Sequence, residues 1–455
     1  MALHLDTGPA ARAPSRYPDS ASRSAALFER ARRVMPGGNT RLAVYQSPYP
    51  IFVDHARGSR VVDVDGVERI DFINNQSVLV HGHLYPPAIE AVERQLRKGT
   101  CFSGPSEADL ALAEHLVTRS PAFEQVRFTN SGSEAVMMAV KAARAFTGRH
   151  KVAKCEGAYH GTYDFVEASR GSSPANWGPR ATPHAVAYSK ATPPGVLENT
   201  VVFPYNDVEA ARTLLELAKD DLAAVVVEPV ANRIGMIAAS PEFLRFLRDF
   251  CTRNGIVLVF DEVYVFRLGV GGAQERYDMH GDITAMGKIV GGGFPVGAIA
   301  GRADVMAVFD PSGGSPDLPH TGTFNGNPIS MVAGLETLRP MDAAFITNLN
   351  AKGDALRAAL NAGFAAQGIE GQATGVGSLF RIHYRAGAIT DYRSGYATGD
   401  AAARVKSLYR LLLNEGFLVA VNCSGNISSA HSDDEIGRFV EAFGRNVARA
   451  QGAKP

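Results

Sequence analysis

Cysteine is scarce in this chain of 455 residues: Cys101, Cys155, Cys251 and Cys423 stand far apart and form no C-x-x-C pair. That spacing argues against a disulfide framework and a zinc site, and it fits a reducing, cytoplasmic setting. An excess of either charge is also missing, because 46 basic residues balance 46 acidic ones. Nothing is therefore left over to neutralise a phosphate backbone, and no nucleic-acid partner is expected. No run of about 18 apolar residues occurs, so no membrane span is expected. The first residues are rich in Ala, Ser and Arg, but Asp6, Arg12, Arg16 and Asp19 interrupt any apolar stretch. A secretory signal is not expected there, and the two acids count against a transit peptide. His81 and His83 flank Gly82 without a third ligand at useful spacing, so they read as loop residues near an interface and not as a metal site.

The length suggests two domains. Residues 1 to about 25 read as a mobile arm, followed by a helix from Ser24 to Val34 that Pro36-Gly37-Gly38 stops. Val61–Val64, Asp65-Gly66 and Arg69–Ile73 read as a hairpin, because Asp-Gly tolerates the positive φ of a tight turn. From about residue 75, helical segments alternate with short apolar runs at Val126–Thr129, Val152–Cys155, Ala223–Val227, Ile256–Phe260 and Val296–Ala300. Unbroken apolar strands between helices predict an α/β fold with a mainly parallel sheet covered on both faces. Gly171 to Asn199 lacks periodicity and reads as a long, functional loop. A helix is expected after Asn325. Beyond it, helices at Ala351–Gln367, Ala401–Asn414 and Asp433–Ala450 alternate with strands at Gly377–Tyr384 and Phe417–Val421, a smaller α+β domain. The expected division is residues 1–74 joining a small domain at 331–455, with a large domain at 75–330.

Four short segments carry chemistry. The strand Ile256–Phe260 ends in Asp261-Glu262, and ligands in open α/β sheets sit beyond the carboxyl ends of strands. The apolar segment Ile283–Met286 ends in Gly287-Lys288, where burial would lower the pKa of the amine and make it nucleophilic. A phosphate-binding P-loop fails on spacing: Asp282 stands where the first glycine is required, and Ile289 where a magnesium-binding Ser or Thr is required. Asn130-Ser131-Gly132-Ser133-Glu134 follows a strand and opens a helix running to about Phe146, either an anion site or a plain cap. Gly157-Ala158-Tyr159-His160-Gly161 offers an aromatic that either stacks on a flat ring or simply packs. Each is ambiguous alone. Together, a helix-terminal anion site, an aromatic, a strand-end Asp and a strand-end Lys are the set that pyridoxal 5'-phosphate (PLP) requires.

With Pro36-Gly37-Gly38-Asn39-Thr40-Arg41, Phe260-Asp261-Glu262-Val263 followed by Arg267, and Gly322-Thr323-Phe324-Asn325-Gly326-Asn327-Pro328, the chain resembles the class III (ω-type) aminotransferases of PLP fold type I. Within them it is most similar to the glutamate-1-semialdehyde aminomutase and β-amino-acid aminotransferase branch. The resemblance covers about Met35 to the C-terminus and implies roles. Lys288 would link covalently to PLP, Asp261 would pair with its ring nitrogen, and Val263 and Tyr159 would pack on its two faces. Ser131, Gly132 and Ser133 would bind the phosphate, Thr323 would reach it from a neighbouring subunit of a homodimer, and Glu228 would lie near the cofactor. Arg41 would clamp a substrate carboxylate.

Two features depart from that branch. Phe417 to Gly437 contains neither Arg nor Lys, and Asn422 and Cys423 lie about where a carboxylate-binding Arg is expected. Tyr264-Val265-Phe266 is more apolar than is usual after Asp-Glu-Val, which favours hydrophobic amines. The expected reaction is ping-pong transfer of an amino group from an amine or β-amino acid to a keto acid. The alternatives are an aminomutase or racemase on the same scaffold, or a Ser hydrolase built around Ser424 and His431. The last lacks a G-x-S-x-G elbow. Arg267 is a second candidate for the substrate carboxylate.

Overall fold

Alternate residues of each central strand enter two different apolar clusters. Ala224, Val226, Val257, Val259, Ile283 and Ala285 belong to one, Val225, Val227, Leu258 and Phe260 to the other. Successive side chains of a strand point to opposite faces, so both faces of this sheet are covered. The structure is a computed structural model and describes residues 17–452. It has the expected α/β architecture.

Three N-terminal strands, β1 (Val53–Arg57), β2 (Arg60–Asp63) and β3 (Glu68–Asp71), form an antiparallel meander. The turn between β2 and β3 carries the expected Asp65-Gly66, with Gly66 at φ 77°. The main sheet follows: β4 (Gln125–Thr129), β5 (Lys151–Cys155), β6 (Thr200–Phe203), β7 (Leu222–Val227), β8 (Val257–Asp261), β9 (Ile283–Gly287) and β10 (Gly297–Gly301). Its spatial order is β4-β10-β9-β8-β7-β5-β6. The run expected to be a parallel strand at Val296–Ala300 is β10, which pairs antiparallel with both β9 and β4. It follows β9 after only a short 3-10 turn at Lys288–Gly291, and a parallel return needs a crossover of a dozen or more residues.

One face of the sheet is covered by α1 (Gly132–Thr147), whose Ala135, Val136, Ala139, Val140 and Ala143 are fully buried. The other is covered by α2 (Pro241–Asn254) through Phe243, Leu244, Leu247 and Phe250. Each fully buried large apolar side chain contributes about 1.5–3 kcal/mol. The C-terminal part holds β11 (Gln372–Thr374), β12 (Leu379–His383), β13 (Phe417–Leu418) and β14 (Ser424–Asn426), with helices α3 (Ala343–Ala366), α4 (Gly399–Asn414) and α5 (Asp433–Gln451). β13 pairs parallel with β3, so the N-terminal meander shares a sheet with the C-terminal part.

Several expectations are corrected. Of the arm expected at residues 1 to about 25, residues 1–16 lie outside the described residues, and the rest is docked. Tyr17 is buried, its amide donates to Asn414 Oδ1 at 2.7 Å, and Asn414 Nδ2 donates to its carbonyl at 3.0 Å. The helix expected over Ser24–Val34 spans Arg23–Ala31, with Ser22 as its cap. The long loop ends in a helix at Pro194–Glu198. α3 begins at Ala343, capped by Asp342, where the sequence suggested Ala351. The strand expected over Phe417–Val421 is two residues long. Among the described residues, no helix is long and apolar enough to cross a membrane.

Candidate active site

Strand parity decides which side chains meet. Continuing the alternation Val257, Val259 brings Asp261 to the α1 face, and Ala224, Val226 does the same for Glu228. In the parallel register Asp261 sits opposite Ala285, three residues before Lys288. β4 and β5 end on the same edge, followed by Ser131-Gly132-Ser133 and by Tyr159-His160. Residues far apart in sequence therefore gather beyond the carboxyl ends of the strands, around a cavity of about 570 Å³. Its wall includes Ser131, Gly132, Ser133 and Tyr159, together with Glu228, Asp261, Val263 and Lys288.

Asp261 is buried and oriented twice. Its Oδ1 accepts from the Val263 amide at 3.0 Å, and its Oδ2 lies 2.7 Å from His160 Nδ1. Burial lowers the pKa of His160. The ring is therefore neutral near pH 7, and its proton sits on Nδ1 toward the carboxylate. Nε2 of His160 is buried and has no partner.

Lys288 adopts φ 52°, a left-handed conformation that costs a non-glycine residue about 1–3 kcal/mol. Burial pulls its amine pKa down, opposed by Asp261 and Glu228. The ammonium lies 5.5 Å from the Tyr264 ring centroid. Glu228 is pushed well up, first by burial and then by the nearby Asp261. Its Oε1 accepts from the Asn232 amide at 3.3 Å, and its Oε2 has no partner.

The helix terminus is well built. Ser131 Oγ accepts from the Glu134 amide at 3.1 Å, and Glu134 Oε2 accepts from the Asn130 amide at 2.8 Å. This capping leaves the amides of Gly132 and Ser133 at the positive end of a sixteen-residue helix without intrahelical partners. Gly132 has no spare room: a Cβ there would lie 2.5 Å from Val263 Cγ1.

A second strained segment borders the cavity. Asn74, Asn75, Gln76 and Ser77 all have positive φ, from 47° to 72°, although left-handed residues normally occur singly. Side chains hold the turn. Asn74 Nδ2 donates to Asn426 Oδ1 at 3.1 Å, Ser77 Oγ donates to the Tyr264 carbonyl at 3.3 Å, and Arg267 Nη1 reaches Ser77 Oγ at 3.4 Å. The turn places Gln76 in the cavity wall.

Arg41 and Thr323 do not line the cavity of this chain. Arg41 is exposed and donates to Asn75 Oδ1 at 3.0 Å, while its neighbours Leu42, Ala43 and Tyr45 do line it. Thr323 is exposed. Arg267 is fully buried, donating to Ser378 Oγ at 3.1 Å and Asn426 Oδ1 at 2.8 Å, so it is a strut and not a substrate ligand. Of Tyr264-Val265-Phe266, only Tyr264 faces the cavity; the other two are core. Ser424 lines the cavity, but buried His431 pairs with Ser428 Oγ at 2.9 Å and stacks on Phe72, so no Ser424–His431 dyad exists. His81 contacts Ser429 Oγ and the Thr337 carbonyl, and His83 contacts Asp71, all within this chain.

Sequence reasoning missed several cavity residues, among them the polar or aromatic groups His160, Arg170, Tyr188 and Arg233. His160 was visible beside Tyr159, but nothing tied it to Asp261. Arg170 and Tyr188 come from the long loop and its approach, and Arg233 follows β7. Arg170 lies over the rings of Tyr159 and Tyr188 at 4.2 and 4.4 Å, while Arg233 Nε donates to its carbonyl at 3.3 Å. Only the loop's length hinted at them.

Comparison with known proteins agrees with this geometry. The family model described as class-III aminotransferase matches residues 42–419. A glutamate-1-semialdehyde 2,1-aminomutase of Methanothermobacter thermautotrophicus is 40% identical over 424 residues, covering 92% of this chain and 97% of that protein. The crystal structure of an omega-transaminase from Sphaerobacter thermophilus superposes with TM-score 0.94 at 47% identity, covering 96% of this chain and 99% of that one. A transaminase with PLP bound gives TM-score 0.87 at 43% identity, covering 94% and 97%.

Proposed function

Because the chain belongs to the class III aminotransferases and is a PLP-dependent enzyme, we propose that it transfers an amino group from an amine or β-amino acid to a keto acid. The residues present fit the cofactor. Among the described residues, buried Nε2 of His160 and Oε2 of Glu228 lack partners, and Gly132, where a Cβ would collide with Val263, leaves the helix terminus bare. When bound, PLP supplies an aldehyde that takes up the donor amine and a ring that accepts electrons as the Cα proton leaves.

The protein's own groups do the rest. Lys288 would hold the cofactor through its aldehyde and, once the donor amine has displaced it, would be placed to move the donor Cα proton; burial lowers the basicity of its amine. Asp261, held by His160 and the Val263 amide, would pair with the ring nitrogen and keep it protonated. Ser131, Gly132 and Ser133 would hold the phosphate. Tyr159 and Val263 would pack on the ring, and Glu228, whose pKa burial raises, would donate a hydrogen bond in its protonated form. Thr323 serves the phosphate of a partner subunit in a homodimer. Arg41, whose neighbours line the cavity, meets the carboxylate of a β-amino acid, and apolar Leu42, Ala43 and Val421 accept the rest of the donor.

The observation that carries this reading is Lys288, held left-handed and half-buried near Asp261 and Glu228 in a cavity of substrate size. Similarity to two transaminases at 47% and 43% identity favours transfer between two substrates. The 40% identical aminomutase supports the second reading, an isomerase on the same residues. Incubation of the holoenzyme with one amino compound separates them. A transaminase stops after one half-reaction until a keto acid is added, whereas sustained turnover with the single compound overturns transfer. Lys288→Ala is expected to abolish borohydride-fixable cofactor. Arg41→Ala is expected to raise KM for a β-amino acid about tenfold or more and leave a plain amine unchanged; equal losses remove the clamp.

A further inference from the structure

Val421 and Asn422 line the cofactor cavity on one side and a second cavity, also of about 570 Å³, on the other. The second cavity is walled by β12, the segment after it and the first turns of α4. Its ionisable side chains are Arg381, His383, Tyr384, Arg385, Tyr396 and Lys406, with no Asp or Glu among the lining residues. His383 is not a cation here: burial pushes its pKa down to about 3, and its Nε2 meets Thr374 Oγ1 at 2.9 Å.

Arg381 lacks a counter-charge. Its Nη1 donates to the Arg233 carbonyl at 3.2 Å, which neutralises nothing, and its Nε is buried with no partner. Arg233 repels it, burial keeps the nearby Cys423 thiol neutral, and among the described residues no carboxylate bears on it. Arg385 Nε is likewise buried and unpartnered. A guanidinium cannot escape burial by shedding its proton near neutrality, and a buried cation left unpaired is costly. Two planar guanidinium groups without a carboxylate partner, on residues that line one cavity of small-molecule size, match the geometry of a carboxylate.

We propose that this second cavity binds the carboxylate of a small organic anion through Arg381 and Arg385. The site rests on these residues alone and holds whichever reaction the cofactor cavity performs. Two sources supply that chemistry: a free carboxylate bound behind Asn422, or the far carboxylate of a dicarboxylic keto acid that reaches past it.

The test is calorimetric titration of succinate into the full-length holoenzyme, comparing wild type with Arg381→Gln, Arg385→Gln and Arg381→Lys, each checked for folding by circular dichroism. Succinate is expected to bind the wild type, and the affinity to fall about tenfold or more in either Gln variant, with partial retention in Arg381→Lys. Arg385, half-buried, provides the readout if Arg381→Gln does not fold. Repeating the titration under saturating 2-oxoglutarate separates the sources. Undiminished succinate binding assigns the cavity to a free anion, and displacement assigns it to the far end of a dicarboxylic substrate. No succinate binding to the wild type, or equal affinity in wild type and Gln variants, overturns the proposal. Because the readout is binding, failure of the transaminase reading leaves this result standing, and the converse also holds.

Discussion

His160 and Glu228 show how single residues are tuned by burial. A charge-assisted hydrogen bond of the His160–Asp261 kind contributes about 1.5–3 kcal/mol. His160→Ala is therefore expected to slow the half-reaction by about 10–100-fold, followed by stopped-flow absorbance, with little change in unfolding temperature. Wild-type rates in that variant would remove His160 as the residue positioning Asp261. Glu228 has its pKa raised well above the carboxylate range by burial, then by Asp261. The protonated form is thus present below the raised value and lost as pH climbs through it. Glu228→Gln keeps a neutral donor. The variant is expected to match wild type where Glu228 is protonated and to lose the decline that its ionisation contributes as pH rises, which a pH–rate profile checks.

Elements position these groups by close approach. α1 reaches the cavity because Gly132 carries no side chain against Val263. Gly132→Ala is expected to weaken cofactor binding, measured by equilibrium dialysis, and Val263→Ala in the same chain is expected to restore part of it. Absence of rescue would show that the glycine serves something other than clearance. The left-handed turn at Asn74–Ser77 is stabilised from outside, by Arg267 and Asn426. Arg267→Gln cannot satisfy Ser77, Ser378 and Asn426 together, and each buried group left unpaired costs about 1–3 kcal/mol. A drop in stability of that size is expected in chemical denaturation, with a change in donor KM because Gln76 rides on the turn.

At the scale of the whole molecule, acid acts on buried histidines that join distant parts of the chain. His431, stacked on Phe72, has its pKa lowered by burial to about 4 from 6.5. Between those values the unfolded chain binds the extra proton and the folded one does not. Stability from this group therefore falls as pH drops from about 6.5 toward 4, by roughly 1.4 kcal/mol per pH unit. Denaturant titrations across that window are expected to show the slope, and His431→Gln to reduce it. The alternation of apolar runs with helices made the central sheet, its covered faces and the strand-end positions of Asp261 and Lys288 readable in one dimension, because burial on both faces imposes apolar runs on each strand. The order Ser131, Tyr159, Asp261, Lys288 likewise carried the cofactor class. The reversed direction of β10 was not readable, since an apolar run looks the same both ways. Nor were the contact of His160 with Asp261, the left-handed turn under Gln76, the exposure of Arg41 beside Asn75, or the unpaired Arg381 behind Asn422. Local sequence sets which residues prefer a strand, a cap or a turn. Which side chains share one low-dielectric space depends on packing between segments a hundred or more residues apart, and only the folded chain decides that.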